Sequence, residues 1–142
     1  IYWNYGFIPQ TWENPNLLIQ NYGGDNDPID IVEIGKRKLE IGKIYKIKVL
    51  GCIGLIDKDE IDWKIIAINN KDINFDTYNN IYDVPEYIKS GIREWFRWYK
   101  LFKYNILNKF LNEGTFLDAK ESDSIIEKCH IEWGKKYKSK KK

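Results

Sequence analysis

The segment GDNDPID, residues 24–30, carries the densest group of acidic side chains in the sequence. Asp25, Asp27 and Asp30 lie within six positions of one another on a turn entered through glycine. Carboxylates this close repel: two unit charges about 4 Å apart cost about 1 kcal/mol in water and about 4 kcal/mol at an effective dielectric constant near 20. Either solvent screens these charges or a cation binds them. With no His or Cys nearby, the oxygen ligands favour Mg²⁺, Mn²⁺ or Ca²⁺ over zinc, and a solvated acidic turn is the competing interpretation.

A second acidic group lies in residues 55–64, and its members are Asp57, Asp59, Glu60 and Asp62. It falls between two apolar segments, which predicts a hairpin whose tip exposes Asp59 and Glu60 to water. Lys64 follows Asp62 by two residues, so their side chains share one face of a strand. The two acidic turns could converge at one end of a barrel and share several metal ions. Such an arrangement is typical of phosphoryl transfer, in which metals bind phosphate oxygens and lower the pKa of an attacking water.

Candidate phosphate ligands lie in residues 94–100. Tyr99 and Lys100 are adjacent there, and hydroxyl and ammonium groups are suitable donors to phosphate oxygens. The aromatic residues before them have a spacing that predicts packing rather than a stacking platform for bases, and they are Trp95, Phe96 and Trp98.

Three strand-like segments must position these residues. They are residues 29–35, 43–57 and 62–69, which show alternation or short apolar runs rich in Ile. Gly51 and Gly54 interrupt the second segment and predict a bulge or bend, as in a curled sheet.

Helical patterns follow the strands. Asp83, with Glu86 three residues later and Pro85 in the first turn, predicts a capping box at the start of a helix. A second helix is predicted over about 118–133, ending at Gly134, and His130 on it is expected to be a surface or interface residue. The predicted class is α+β, and a closed or partly closed barrel is the natural way to bury about five short curved strands.

Length and charge predict one domain spanning residues 1–142. The 142 residues are 43% hydrophobic, which is enough for one core. Residues 134–142 hold six of the 23 basic residues and are predicted to be a flexible basic tail, which leaves 17 basic against 21 acidic groups before them, a net charge of −4. An acidic body argues against a nucleic-acid partner.

Cysteine usage and hydropathy indicate the cellular setting. Cys52 and Cys129 lack CxxC spacing, which is typical of reduced thiols in a cytosolic protein. No apolar run in the sequence approaches the roughly 18 to 20 residues needed to cross a bilayer. These features favour a cytoplasmic protein without a membrane partner.

Four segments, in order along the chain, resemble the soluble family I inorganic pyrophosphatases of the eukaryotic type. They are NYGFIPQTWE (4–13), GDNDPIDIVEIG (24–35), KVLGCIGLIDKDEIDWKIIAI (48–68) and IREWFRWYK (92–100). The resemblance implies a five-stranded barrel of the oligonucleotide-binding type flanked by two or more α-helices. It also implies hydrolysis of inorganic pyrophosphate to two orthophosphates with several Mg²⁺ ions per site, for which Mn²⁺ could substitute.

The resemblance assigns roles position by position. Asp25, Asp30 and Asp62 match carboxylates that hold the metals activating water, and Asp30 matches one that bridges two metals. Asp57, together with Asp62, matches the ligands of a metal carried by the substrate, and Asp27 matches the general base. The phosphate-binding residues that the resemblance implies are Tyr5, Lys64, Tyr99, Lys100 and, as a further site tyrosine, Tyr2.

The resemblance also sets expectations about the wider protein. Family members carry two glutamates, a lysine and an arginine of the site before the NYG motif, so we expect these 142 residues to belong to a longer enzyme and to be poorly active alone. A homodimer is expected, as in the eukaryotic relatives. Two alternatives stay open: a truncated or non-catalytic pyrophosphatase-like barrel and, less favoured, a barrel that binds single-stranded nucleic acid.

Overall fold

A mixed β-sheet forms the centre of the protein, with helices on both of its faces. The computed structural model describes residues 1–138. Its strands are β1 (Asn4–Phe7), β2 (Gly23–Gly24), β3 (Asp30–Glu33), β4 (Ile47–Asp57), β5 (Glu60–Asn69), β6 (Lys109–Phe110) and β7 (Leu117–Asp118). Its helices are α1 (Glu86–Trp98), α2 (Leu101–Tyr104) and α3 (Ala119–Lys138), and a short 3₁₀ helix spans Ile81–Asp83. Leu111–Gly114 form a tight turn in which Asn112 and Glu113 have positive φ angles.

The strand order is β1-β3-β5-β4-β6, with β2 pairing with β5 and β7 pairing with β4. Strands β2 and β3 run parallel to β5, whereas β4 runs antiparallel to it. The predicted α+β class is confirmed. Within residues 1–138 the sheet is open rather than closed, because β1 and β6 lie at opposite ends of the strand order.

The longest strands, β4 and β5, form the hairpin predicted between the two apolar segments. Lys58 and Asp59 connect them with φ angles of +50° and +63°, the left-handed backbone that a two-residue type I′ turn requires. Asp59 and Glu60 are exposed, as predicted for a hairpin tip. The register pairs Ile53 with Lys64, which places this lysine in the middle of a buried hairpin.

Gly51 and Gly54 lie where other elements press against β4. The register slips between Val49 and Gly51, which is the predicted bulge. A Cβ at Gly51 would lie 2.5 Å from the carbonyl oxygen of Leu117, and one at Gly54 would lie 2.8 Å from the side chain of Leu111. Close approach of neighbouring chain segments therefore requires both glycines.

Two predicted starts are wrong. Strand β4 begins at Ile47 rather than at residue 43, and the side chain of Ile44 is 92% exposed, so it adds little packing that would extend the strand. A capping box is present, but Asn80 and Asp83 form it at the 3₁₀ helix. Helix α1 begins three residues later, after Pro85, with no side-chain cap.

Helix α3 continues past Gly134 to Lys138, so the predicted end at this glycine is also wrong. The ring of Tyr137 packs on that of Trp133 with centroids 5.8 Å apart, and these contacts support the helix beyond the glycine. The last four residues of the predicted basic tail lie outside the described residues. None of the helices within residues 1–138 combines the length and the hydropathy needed to span a membrane.

Apolar side chains leave the sheet on both faces, and each face packs against a helix. The first face packs against α1, and its core includes Val32, Leu50, Ile53, Leu55, Ile66, Ile68, Ile92 and Phe96. The second face packs against α3, and its core includes Ile29, Ile31, Cys52, Ile61, Trp63 and Ile65, with Ile125 and Cys129 of the helix packed on it. Because strand side chains alternate, Asp62 and Lys64 share the α1 face with Ile66.

Candidate active site

The aspartate turn leaves the sheet at a gap between two strands that both pair with β5. Strand β2 ends this pairing at Ile61, and β3 resumes it at Lys64. Only Asp62 and Trp63 of β5 therefore lie opposite residues 25–29. The surplus residues of the turn bulge from the sheet and carry the predicted aspartates past Asp62.

Glu13 fills this gap from a neighbouring loop. Its Oε1 accepts a hydrogen bond of 2.9 Å from the backbone N–H of Trp63. Glu13, Asp25 and Asp62 each offer a carboxylate oxygen, and these oxygens lie within 4.8 Å of one another. Oε2 of Glu13 and Oδ1 of Asp62 are buried and accept no hydrogen bond from the described residues, and Glu13 lies close enough to Asp25 for a protonated Glu13 to donate to it. The three carboxylates therefore converge with unsatisfied oxygens.

Burial changes the protonation of these carboxylates. Glu13 is 3% exposed and Asp62 is 7% exposed. Burial, with Asp25 nearby, raises the pKa of Glu13 to about 11. Burial raises the pKa of Asp62 to about 7, although Lys64 acts in the opposite direction, and it also raises the pKa of Asp25. The fully ionised cluster is therefore costly unless a cation neutralises it.

Lys64 joins this cluster to Asp30 and Tyr5. Its Nζ lies 2.6 Å from Oδ2 of Asp62 and 2.8 Å from Oδ2 of Asp30. It also donates to the Tyr5 hydroxyl at 2.7 Å, and this hydroxyl donates to Asp30 at 2.8 Å. Burial alone would lower the pKa of Lys64, but Asp62 and Asp30 outweigh that effect and raise it. The side chain is therefore a buried ammonium held by two carboxylates.

Asp57 and Lys100 form a second ion pair beside the first. The ammonium of Lys100 contacts Oδ2 of Asp57, whereas Oδ1 of Asp57 is buried without a hydrogen-bond partner in the described part of the chain. Tyr99 stacks on Trp95 with ring centroids 4.9 Å apart. Burial raises the pKa of the Tyr99 hydroxyl, which also lies within electrostatic reach of Lys100, Asp57, Lys64 and Asp62. Tyr99 therefore borders both ion pairs, and they belong to one site.

Two predicted site residues lie outside these contacts. Asp27 is exposed, and its backbone N–H donates to Oδ1 of Asp25 at 3.0 Å. Tyr2 is 88% exposed, and its ring packs edge-on against Trp3. Within residues 1–138 the Tyr2 hydroxyl makes no hydrogen bond to the carboxylates. The structure therefore puts Asp27 at the rim of the site and Tyr2 outside it.

The donor set fits a hard divalent cation. Buried oxygens without partners on Glu13, Asp57 and Asp62 are atoms that a bound cation would satisfy. Carboxylates without histidine or thiolate ligands are typical of Mg²⁺, Mn²⁺ and Ca²⁺ sites. His130 lies elsewhere, on the exposed side of α3, and its Nδ1 donates to the carbonyl oxygen of Gln10 at 2.8 Å.

Comparison with known proteins identifies the family to which this chain belongs. The family model described as inorganic pyrophosphatase matches residues 1–134. The chain belongs to the inorganic pyrophosphatase family. It is 42% identical over 146 residues to a probable inorganic pyrophosphatase of Plasmodium falciparum, covering 92% of this chain and 37% of that protein. It is 45% identical over 136 residues to the inorganic pyrophosphatase of Drosophila melanogaster, covering 92% of this chain and 40% of that protein.

Solved pyrophosphatases share its fold. A vacuolar soluble pyrophosphatase of Trypanosoma brucei in apo form superposes with a TM-score of 0.96 at 38% identity, covering 100% of this chain and 37% of that one. A truncated vacuolar soluble pyrophosphatase of Trypanosoma cruzi in complex with PPi superposes with a TM-score of 0.93 at 40% identity, covering 96% of this chain and 53% of that one. The chain spans about two fifths of the length of the two curated pyrophosphatases above.

One residue of the candidate site, Glu13, was missed in the sequence analysis. It ends the segment 4–13 that carries part of the family resemblance, but its partners Asp25 and Asp62 are distant in sequence, so no spacing pattern connects the three. One signal was available. Glu13 is the only acidic residue among residues 1–24, in a segment otherwise rich in aromatic and turn residues.

The aromatic residues of α1 in this pyrophosphatase-family fold are divided between core and surface. Phe96 is buried, and Trp95 packs edge-on against it, as predicted. Trp98 is 50% exposed and its indole donates to Glu94 at 2.9 Å, so the prediction that it packs is wrong. Residues two apart on a helix point to nearly opposite sides, and the side facing the sheet is taken by Phe96.

Proposed function

We propose that this protein hydrolyses inorganic pyrophosphate to two orthophosphates, with Mg²⁺ as its metal and Mn²⁺ as a possible substitute, and so serves phosphate metabolism. One observation carries the proposal. Buried carboxylate oxygens without partners, on Glu13, Asp57 and Asp62, lie beside the ammonium groups of Lys64 and Lys100. Cations and anionic phosphates are the ligands that such a site needs. Family membership and the solved Trypanosoma cruzi relative in complex with PPi support the same substrate.

The proposed metal ligands are the carboxylates that the sequence predicted, with one addition. They are Asp25, Asp30, Asp57 and Asp62, joined by Glu13 through its unpartnered oxygen. When bound, the cations supply positive charge that lowers the pKa of a water and neutralises phosphate oxygens. The backbone N–H of Trp63 holds Glu13, and Lys64 holds Asp30 and Asp62, so the carboxylates are oriented before any cation binds.

Asp27 is proposed as the general base. Its carboxylate is exposed and accepts no hydrogen bond from the described residues, so it is free to take a proton from an attacking water. The Asx turn between the Asp27 N–H and Asp25 keeps this carboxylate next to the metal ligands. A general base must lie within hydrogen-bond reach of the proton that it removes, which a position at the rim allows.

The proposed phosphate ligands are Lys64, Lys100, Tyr5 and Tyr99. In the structure the two lysines are paired with Asp62 and Asp57, and a cation on those carboxylates would free the ammonium groups for phosphate oxygens. Burial raises the pKa of Tyr5 above its ordinary value, so the hydroxyl keeps its proton and can donate. Tyr2 stays a prediction from the sequence, since its exposed ring lies outside these contacts.

The test is orthophosphate release from Mg-pyrophosphate. Slow but measurable release is expected from residues 1–142, and Asp27→Asn is expected to lower the rate by about 10²- to 10⁴-fold, the range for a lost general base. Asp59→Asn, at the exposed hairpin tip, is the matched control and should keep the wild-type rate. Unchanged turnover in Asp27→Asn would remove the assigned base. No release by a longer form of the protein, which includes the segment expected before the NYG motif, would refute the function.

We further propose a reducing, cytoplasmic setting. Cys52 and Cys129 are free cysteines, and burial raises the pKa of each thiol to about 12, which keeps both protonated and poorly reactive. The homodimer, and the lack of nucleic-acid and membrane partners, stay predictions from the sequence.

A further inference from the structure

The aspartate turn is anchored through Asn26, the residue between Asp25 and Asp27. Asn26 has a φ of +70°, in the left-handed region that Asn visits more readily than most residues because its short polar side chain can hydrogen-bond locally. Its backbone N–H donates to the carbonyl oxygen of Glu13 at 3.0 Å. Its side-chain Oδ1 accepts a hydrogen bond of 2.9 Å from the indole N–H of Trp12. Two adjacent residues of one loop therefore hold the residue that separates the two aspartates.

Trp12 is itself held by α3. Its backbone N–H donates to the carbonyl oxygen of Cys129 at 3.0 Å. The ammonium of Lys136 lies 4.0 Å from the centroid of the indole ring, within the range of a cation–π contact. Helix α3 therefore holds the backbone of Trp12 and contacts its indole ring, whose N–H points to Asn26.

We propose that Trp12 is a positioning residue for the cation site. Through the amide of Asn26, its indole N–H fixes the left-handed turn that directs Asp25 toward Asp62 and keeps Asp27 at the rim. The inference rests on the proposed function only in requiring that the site binds a divalent cation. It does not require turnover.

The direction of the turn matters because Asp25 has a short side chain. A rotation of the turn moves its carboxylate relative to those of Glu13 and Asp62, which now lie within 4.8 Å. Besides the backbone bond from Asn26 to Glu13, the turn is held by the Glu13 N–H to the Asp27 carbonyl oxygen at 2.9 Å and the Asp27 N–H to Asp25 at 3.0 Å. Neither link acts on the side chain of Asn26, so loss of the indole donor should weaken cation binding without abolishing it.

The experiment measures Mn²⁺ binding by electron paramagnetic resonance on four variants, without substrate. Trp12→Phe removes the indole donor and keeps an aromatic ring. Asn26→Gly removes the acceptor and keeps a residue that adopts positive φ without strain. The double variant combines the two changes. Trp98→Phe is the matched control, because its indole also donates to a side chain at 2.9 Å but on the outer side of α1.

Trp12→Phe and Asn26→Gly are each expected to lower Mn²⁺ affinity by roughly two- to tenfold, the effect of one hydrogen bond. The double variant should be no weaker than Asn26→Gly alone, and Trp98→Phe should bind as the wild type does. In turnover, the Mg²⁺ concentration for half-maximal rate should rise by the same factor while the KM for Mg-pyrophosphate stays constant.

The proposal would be overturned if Trp12→Phe bound Mn²⁺ as tightly as the wild type does. It would also be overturned if adding Trp12→Phe to Asn26→Gly lowered Mn²⁺ affinity by the same factor as Trp12→Phe does alone. A purely structural indole would lower the melting temperature in EDTA and leave the affinity of the folded protein unchanged, which would overturn it too. If Trp12→Phe does not fold, the Mn²⁺ affinity of Asn26→Gly is the test. Wild-type affinity in Asn26→Gly would refute the proposal. A wild-type protein that binds Mn²⁺ but releases no phosphate, either as residues 1–142 or in the longer form, refutes only the proposed function.

Discussion

Lys64 sets the charge balance of the carboxylate site. Its side chain is 3% exposed and its Nζ contacts both Asp30 and Asp62. One ammonium offsets only part of the negative charge there, because Glu13 and Asp25 also face Asp62. Burial raises the pKa of Glu13 and of Asp62, so protonation meets the remainder in the metal-free protein. A divalent cation at the proposed site would therefore compete with a proton for the same oxygens.

Glu13→Gln should make the metal-free protein more stable at pH 8. The folded pKa of Glu13, about 11, exceeds its ordinary value of 4.5, so the folded protein holds a proton that the unfolded chain releases. The stability that this proton contributes is complete below pH 4.5 and is lost as the pH rises toward 11. In EDTA at pH 8, urea unfolding should show a gain on the order of a few kcal/mol, because the wild type must take up a proton on folding, at about 1.4 kcal/mol for each pH unit above the ordinary pKa of Glu13, and glutamine needs none.

At pH 4 this difference between Glu13→Gln and the wild type should disappear, since both then carry a neutral side chain. Saturating Mg²⁺ at pH 8 should shrink or reverse it, because the wild-type carboxylate then holds a cation. Equal stability of the two proteins in EDTA at pH 8 would contradict the raised pKa of Glu13.

The two glycines of strand β2 allow the loop that carries Glu13 to pack directly against the strand. A Cβ at Gly23 would lie 2.2 Å from the carbonyl oxygen of Pro15, and one at Gly24 would lie 2.4 Å from that of Glu13. Both contacts involve backbone, which cannot rotate away as a side chain can. The loop and the strand can therefore lie side by side only because neither glycine carries a side chain.

Gly24→Ala should separate the Glu13 loop from β2. The overpacked contact should cost about 1–3 kcal/mol, and the shift of Glu13 should weaken Mn²⁺ binding. Gly134→Ala is the control, since a Cβ there meets nothing within 4 Å inside helix α3, and alanine should stabilise that helix by about 0.5–1 kcal/mol. Thermal unfolding and Mn²⁺ titration measure both effects, and a neutral Gly24→Ala would show that the loop is free to move.

Local patterns predicted the elements better than their ends. The apolar runs on either side of Asp59 predicted the hairpin of β4 and β5. This was possible because the alternation of the strands and the residues of the turn are local features of neighbouring positions. The predicted cap at Asp83 failed because the pattern does not distinguish a 3₁₀ helix from the helix that follows it. The end predicted at Gly134 failed because Tyr137 and Trp133 pack beyond it, a contact that outweighs the low helix propensity of glycine.

At the scale of the whole molecule, the candidate site lies at the gap between β2 and β3 in the sheet, and a helix packs on each face of that sheet. The aspartates, lysines and Tyr99 could be predicted because they lie in four ordered segments that resemble one family. Roles for Glu13 and Trp12 could not be predicted from the sequence. Those roles depend on contacts with β5, the aspartate turn and α3, and contacts between segments distant in sequence leave no periodic pattern.

Divalent cations should stabilise the folded molecule as a whole. A ligand that binds only the folded state at 100 times its Kd adds about 2.7 kcal/mol, so Mg²⁺ should raise the melting temperature and EDTA should reverse the rise. NaCl at matched ionic strength is the control for screening and should have a much smaller effect. Asp62→Asn should lose most of the response to Mg²⁺, and a full response in that variant would exclude Asp62 as a ligand.

The contact between Asn14 and Glu132 joins residues 118 positions apart, with the Asn14 amide donating at 2.9 Å. Together with the bond from the Trp12 N–H to Cys129, it ties the Glu13 loop to α3. The hairpin can form from neighbouring residues, but this tie must wait until a long stretch of chain has closed on itself. Cation binding should therefore be among the last properties to appear as the protein folds, after its sheet and helices are already in place.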